Sequence, residues 1–199
     1  MDADAWDERY REGGLVWSPG PNQFVEAELA DVPPGRALDL GAGEGRNAIW
    51  LAEQGWQVTA VDFSQEGLDK GRSRARALPV AWVCADATTW SGDGSYDLSV
   101  LAYLQLSGEE RRAAVRAAFA SLRAGGTFLL VAHDSTNLTE GVGGPQDPEV
   151  LMTAEEVLGD LDGERFEVER AERVTREVVQ PDGTSRTAYD ALVRVVRRD

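Results

Sequence analysis

Short apolar runs alternate with helix-like patterns along most of the chain. Arg36–Leu40, 57–61, Val80–Cys84, 96–101 and 127–132 are brief, aliphatic-rich and bounded by turn residues, which predicts five strands. Between them lie segments of helical period. The first, 45–54, is expected to stop at Gly55; the second follows a Ser64 cap and reaches about 77. Ser107-Gly108-Glu109-Glu110 forms a capping box opening a helix to about 122, which Gly125-Gly126 should stop. Strands alternating with helices predict a parallel α/β sheet. A second capping box, Thr153-Ala154-Glu155-Glu156, opens a short helix to about 161. The tail then becomes β-rich: 166–179 and 186–196 flank Gln180-Pro181-Asp182-Gly183, the chemistry of a hairpin turn. Two helices are expected ahead of the first strand, at 4–12 and 22–30, with Trp17-Ser18-Pro19-Gly20-Pro21 between them.

Composition narrows the classes. The chain has 199 residues, 42% of them hydrophobic, which fits one domain over 1–199 with a substantial core. Within it, 1–32 reads as a helical cap, 36–134 as a ligand-binding core, and 135–199 as a loop, a helix and the hairpin. Its net charge of -15 opposes binding to phosphate backbones and anionic lipid surfaces, so neither nucleic acid nor membrane is an expected partner. Cys84 is the sole cysteine and His133 the sole histidine, which leaves no intrachain disulfide and no zinc site of the usual Cys/His kind. Cys84 reads as a small core residue of the third strand. The first seven residues lack the charge and apolar run of a secretory signal, and no stretch nears the roughly 20 apolar residues of a membrane span, so a cytoplasmic protein is expected.

The chemistry gathers at predicted strand ends. Strand one runs into Asp39-Leu40-Gly41-Ala42-Gly43-Glu44-Gly45-Arg46. A glycine loop entering a helix lets a ligand approach the backbone, and the helix start offers free N–H groups to an anion. The dinucleotide fingerprint requires glycine where Arg46 stands, so it is not met. Asp62 ends the second strand, where a carboxylate can accept both hydroxyls of a ribose. Asp86 follows the third strand and can accept from an exocyclic adenine amine. Open α/β sheets bind ligands at these carboxyl ends. Each aspartate alone is as readily a cap or turn former; with the glycine loop, the two describe an adenosine pocket.

In order along the chain, Leu38-Asp39-Leu40-Gly41-Ala42-Gly43-Glu44-Gly45, Val58-Thr59-Ala60-Val61-Asp62-Phe63, Ala85-Asp86-Ala87, Tyr96-Asp97-Leu98 and Leu122-Arg123-Ala124-Gly125-Gly126 resemble the motifs of class I S-adenosylmethionine-dependent methyltransferases. The Gly45-Arg46-Asn47 step and the Trp6…Tyr10 start are most similar to small tellurite-resistance and thiopurine-like members. The resemblance implies a Rossmann-like, mostly parallel seven-stranded sheet with helices on both faces and a C-terminal antiparallel hairpin. It also implies S-adenosylmethionine as methyl donor and S-adenosylhomocysteine as product. Gly41, Gly43 and Gly45 would line its methionine part, Asp39 would face the amino group and Arg46 the carboxylate. Asp62 would hold the ribose, Phe63 would pack on adenine, Asp86 and Ala87 would read the adenine edge, and Leu101 and Ala102 would wall the sulfonium. No metal site is implied.

The acceptor side is read from fewer signals. Trp17 and Asn22 bound a loop suited to capping a cleft, Tyr103 follows strand four, and 137–148 is a glycine-punctuated excursion. His133 ends strand five and is the natural base if the acceptor carries a proton; a thiolate or selenide needs none. The acceptor is therefore expected to be a small molecule, offering either a soft chalcogen or a metabolite oxygen or nitrogen. The fourth motif, Leu101-Ala102-Tyr103-Leu104-Gln105, lacks the Asn-Pro-Pro-Tyr type of signature of amino-methylating DNA enzymes. Two other classes stay open: an NAD-type nucleotide-binding oxidoreductase, and a cofactor-binding protein without turnover. Oligomeric state is not legible.

Overall fold

The computed structural model describes residues 3–199. Helices α1 (Ala3–Arg11) and α2 (Gln23–Leu29) precede an alternation of β1 (Arg36–Leu40), α3 (Arg46–Glu53), β2 (Gln57–Asp62), α4 (Gln65–Ala75) and β3 (Val80–Cys84). Then come β4 (Tyr96–Ala102), α5 (Gly108–Ala120), β5 (Leu122–His133), α6 (Ala154–Asp160), and the hairpin β6 (Phe166–Val179) and β7 (Ser185–Arg197). The sheet order is β3-β2-β1-β4-β5-β7-β6. β1 to β5 run parallel, and β7 pairs antiparallel with both β5 and β6. This is the Rossmann-like architecture expected from the motifs. Among the described residues, no helix is long and apolar enough to cross a membrane.

Alternation along each strand feeds two cores. Leu38, Leu40, Phe128, Leu130 and Val193 face one side with Val115 and Phe119 of α5 and Val157 of α6. Ala37, Leu98, Leu129, Val131 and Leu192 face the other, against Val25 and Leu29 of α2 and Leu51 of α3. Period-two patterning on both faces is what a central parallel strand requires. Asp160, buried at the end of α6, binds Arg111 at 2.6 Å and Arg112 at 3.3 Å, tying α6 to α5.

Two expectations need correction. Gly125-Gly126 do not stop α5. The helix ends at Ala120, and Leu122 already pairs with Tyr96, after which the register slips until Thr127 pairs with Leu98. Arg197 of β7 explains the early ending, because its Nη1 collects the carbonyls of Ala120 at 3.0 Å and Leu122 at 2.6 Å. Cys84, expected in the core, is exposed. It is the last residue of an edge strand, with a neighbour strand on one side only, and its Sγ lies 3.5 Å from the Phe63 carbonyl.

Replacing Asp160 by alanine should leave Arg111 without its buried partner and destabilise the fold by about 3–5 kcal/mol. A urea unfolding midpoint unchanged from wild type would refute this.

Candidate active site

β3, β2, β1 and β4 end side by side, and their last residues with the following loops build a cleft. The glycine loop hangs from β2: Gly41 N and Ala42 N both donate to the Val61 carbonyl, at 2.8 and 3.0 Å. Asp62 then fixes its crest. Its Oδ2 accepts from Gly43 N at 2.8 Å and its Oδ1 from Ser64 N at 2.9 Å. Burial pushes the Asp62 carboxyl up from its ordinary range, and these amides pull against that shift. A carboxylate offers about four acceptor sites, so each oxygen keeps one for a ligand hydroxyl.

Two glycines are demanded by their surroundings. Gly43 has φ 53°, and a Cβ there would come within 2.5 Å of Tyr10 Oη. Gly45, at φ 71°, is the left-handed residue that starts α3, and its Cβ would meet Trp82 Cη2 at 2.3 Å. Gly45 therefore faces the Trp82 wedge of β3, whereas Gly41 and Gly43 line the cleft.

The other predicted residues divide. Arg46, Phe63, Asp86, Ala87, Trp17 and Tyr103 all line the cleft. Asp86 serves at once as turn former, with Oδ1 accepting from Thr88 N and Oγ1, each at 2.8 Å. Asp39 and Leu101 lie off the cleft surface. Leu101 faces a smaller apolar cavity with Leu130 and Met152, whereas Ala102, expected beside it, does line the cleft. Asp39 is 1% exposed, its Oδ2 has no hydrogen-bond partner, and burial pushes its carboxyl up to about 7. Arg46 stands 5.6 Å from the Trp17 ring and 5.8 Å from that of Tyr103; among the described residues its only polar partner is Ser18 Oγ at 3.4 Å. Burial lowers its guanidinium pKa.

The N-terminal segment covers this edge. Trp6 stacks on Tyr10 at 5.5 Å, and Trp17 Nε1 donates to Tyr10 Oη at 3.5 Å. Glu44, 1% exposed, accepts from Val16 N at 3.0 Å, Trp17 N at 3.3 Å and Lys70 Nζ at 3.2 Å. Lys70, the chain's only lysine, also reaches the Gly14 carbonyl at 2.7 Å. Glu44 and Lys70 escaped the sequence analysis. The one available signal was an acidic residue inside a glycine turn, a place that otherwise favours small residues.

A second cleft shares Trp17, Arg46 and Tyr103 with the first and adds Asn22, His133 and Arg176. Asn22 caps α2, its Oδ1 accepting from Phe24 N at 2.9 Å and Val25 N at 3.3 Å. Tyr103 holds a left-handed backbone at φ 58°, unusual for a bulky residue and a mark of strain stored at a site. Its ring lies 4.6 Å from that of His133. Burial, then the charge of Asp190, pushes its hydroxyl above the ordinary phenol range. Arg176 and Asp190, both from the hairpin, were also missed. An aspartate inside the apolar run 188–193 is the signal that could have found the pair.

Comparison with known proteins fits this geometry. A family model described as a methyltransferase domain matches residues 37–126. Thiocyanate methyltransferase 1 of Brassica oleracea is 25% identical over 167 residues, 79% of this chain and 73% of that protein. The chain is a class I S-adenosylmethionine-dependent methyltransferase. A tRNA 5-carboxymethoxyuridine methyltransferase of Escherichia coli K12 is 39% identical to this methyltransferase over 61 residues, 30% of the chain and 23% of that enzyme. In fold, it matches the N-methyltransferase NodS from Bradyrhizobium japonicum, solved with S-adenosyl-L-homocysteine, at a TM-score of 0.74 and 18% identity, covering 99% of this chain and 98% of that one.

The cleft of the methyltransferase fits its methyl donor. The open acceptor sites on Asp62 suit two ribose hydroxyls, and Arg46 without a carboxylate partner suits a carboxylate; Asp39, buried off the cleft surface with an orphaned Oδ2, would meet the ammonium through water. Asp62→Ala should weaken S-adenosylhomocysteine binding about 100-fold through loss of charge-assisted hydrogen bonds; an unchanged calorimetric affinity would refute the assignment. Asp39 gives a pH signature. Its folded pKa exceeds the unfolded one, so the folded chain holds the extra proton and stability falls as pH rises from about 4 to about 7. Asp39→Asn should remove this slope from urea midpoints taken across that window, and a variant with the wild-type slope would contradict it.

Proposed function

We propose that this methyltransferase methylates the sulfur of a small thiol. The observation that supports this is the second cleft, which shares the Arg46, Tyr103 and Trp17 walls with the donor cleft and so would seat an acceptor beside it. Likeness to a thiocyanate methyltransferase supports a soft nucleophile. The net charge of -15 repels a polyanion, which supports a small molecule over RNA despite the short likeness to a tRNA enzyme.

The donor, when bound, supplies a methyl group already activated on a sulfonium, ready for in-line displacement. The chain's task is alignment and exclusion of water. Asp62 and the Gly41–Gly43 backbone would fix the nucleoside and methionine ends, with Arg46 and Asp39 meeting the opposite charges. Phe63 and Ala87 would flank the base, and Asp86 would accept from its edge. Trp6, Tyr10 and Trp17 close the outer side. Tyr103, held by N–H donation to the Val131 carbonyl at 2.7 Å, forms the wall that the acceptor would approach.

A second reading, methylation of a metabolite oxygen or nitrogen, draws support from His133, which lies on the acceptor cleft beside a buried carboxylate. Labelled methyl transfer separates the two. Incubation with a pool of thiols should yield labelled thioether, and a parallel pool of phenols, amines and carboxylates should stay near background. Label confined to the second pool would overturn the sulfur assignment.

A further inference from the structure

The acceptor cleft contains an arrangement that alignment alone does not need. Asp190 of β7 is fully buried and pairs in register with His133 of β5. Its Oδ2 accepts from Arg176 Nε at 2.8 Å. Its Oδ1 faces His133 Nδ1 at 3.4 Å, and neither of these two buried atoms has a hydrogen-bond partner of good geometry. The Tyr103 hydroxyl, buried in the same cluster, is also without one. With Nδ1 turned to Asp190, Nε2 is the nitrogen left for a ligand in the cleft. Gly144 packs on the imidazole so closely that a Cβ would come within 2.9 Å of its Cγ and Nδ1.

A buried carboxylate beside one nitrogen of a histidine favours the tautomer with the proton on that nitrogen and orients the ring. The 3.4 Å separation is long for a hydrogen bond, as in other sites that tighten only when ligand is bound. Arg176 neutralises the rest of the Asp190 charge, and Arg46, the other cation on the cleft, would be matched by the donor's carboxylate. The filled cleft then keeps one uncompensated cation facing the acceptor, the donor's own sulfonium, which the transfer consumes. Such a site suits an acceptor that arrives uncharged and loses a proton.

We propose that His133 is the general base of the transfer, that Asp190 is its positioning residue, and that the acceptor binds as a protonated thiol. This rests on the sulfur reading above. The acceptor S–H proton passes to His133 Nε2. The sulfur electron pair forms the new C–S bond while the sulfonium C–S bond breaks, its electron pair staying on the departing, now neutral, thioether sulfur. His133 then returns the proton to water. A free thiol has a pKa near 8.5, so at pH 7 only a few per cent is thiolate without such help.

The test is steady-state kinetics of Asp190→Asn and His133→Gln with a small alkyl thiol, over a pH series, after S-adenosylhomocysteine affinity has been measured on each protein. The groups facing the imidazole are Asp190, Arg176, Tyr103 and Arg46. Both variants should lose about 100-fold or more in kcat at pH 7 with KM little changed, and the deficit should shrink as pH rises past the thiol's own pKa. His133→Gln leaves the Arg176–Asp190 pair in place and carries the test if Asp190→Asn fails to fold. Wild-type kcat in both variants, a deficit independent of pH, or faster wild-type transfer to thiocyanate than to the thiol would overturn the proposal. Absence of S-adenosylhomocysteine binding in the wild type, or thiols left unlabelled, would instead strike the reading beneath it.

Discussion

Asp62 holds two backbone amides on one carboxylate, and the donor cleft depends on that clasp. The carboxylate stands at the end of β2, buried, with Gly43 N on one oxygen and Ser64 N on the other. It therefore sets the crest of the glycine loop relative to the start of the next helical connection. Ser64 in turn caps α4 through Gly67 N at 3.1 Å and donates to Asp7 of α1. One side chain thus links the sheet, the cofactor loop and the N-terminal cover. Charge on it also leaves acceptor capacity aimed outward, so the residue that builds the loop is the residue that can bind through it.

Acidic side chains in this chain act repeatedly as hooks for backbone. Glu44 does for the cover what Asp62 does for the loop, gathering Val16 N and Trp17 N while Lys70 neutralises it. Buried carboxylates tolerate this because charge-assisted amide bonds offset their desolvation. Asp39 and Asp190 are different: each keeps a buried oxygen with no hydrogen-bond partner, beside a cleft where a cation or a histidine completes the set. The contrast separates acids whose oxygens both engage backbone or lysine from acids that keep one buried oxygen free.

Much of the fold was legible because local and tertiary signals agree. The Ser64 cap, both capping boxes and the Asp182-Gly183 turn lie where the pattern puts them. The end of α5 was misjudged because a distant arginine, Arg197, captures its last carbonyls, and no local signal encodes that. Cys84 was misjudged because composition does not reveal which strand lies at the edge. On the cleft, residues at strand ends were accessible to reasoning from spacing. For Arg176 and Asp190 the one local signal was an aspartate inside an apolar run, and only the antiparallel register of the hairpin shows that it meets His133.

Amide hydrogen exchange with and without S-adenosylhomocysteine tests the central claim most directly. The account predicts slowed exchange at 41–45, 62–64 and 86–87, together with Val16 and Trp17 of the cover, while β6 and its turn stay unchanged. Protection absent from the glycine loop, or confined to the hairpin, would contradict it.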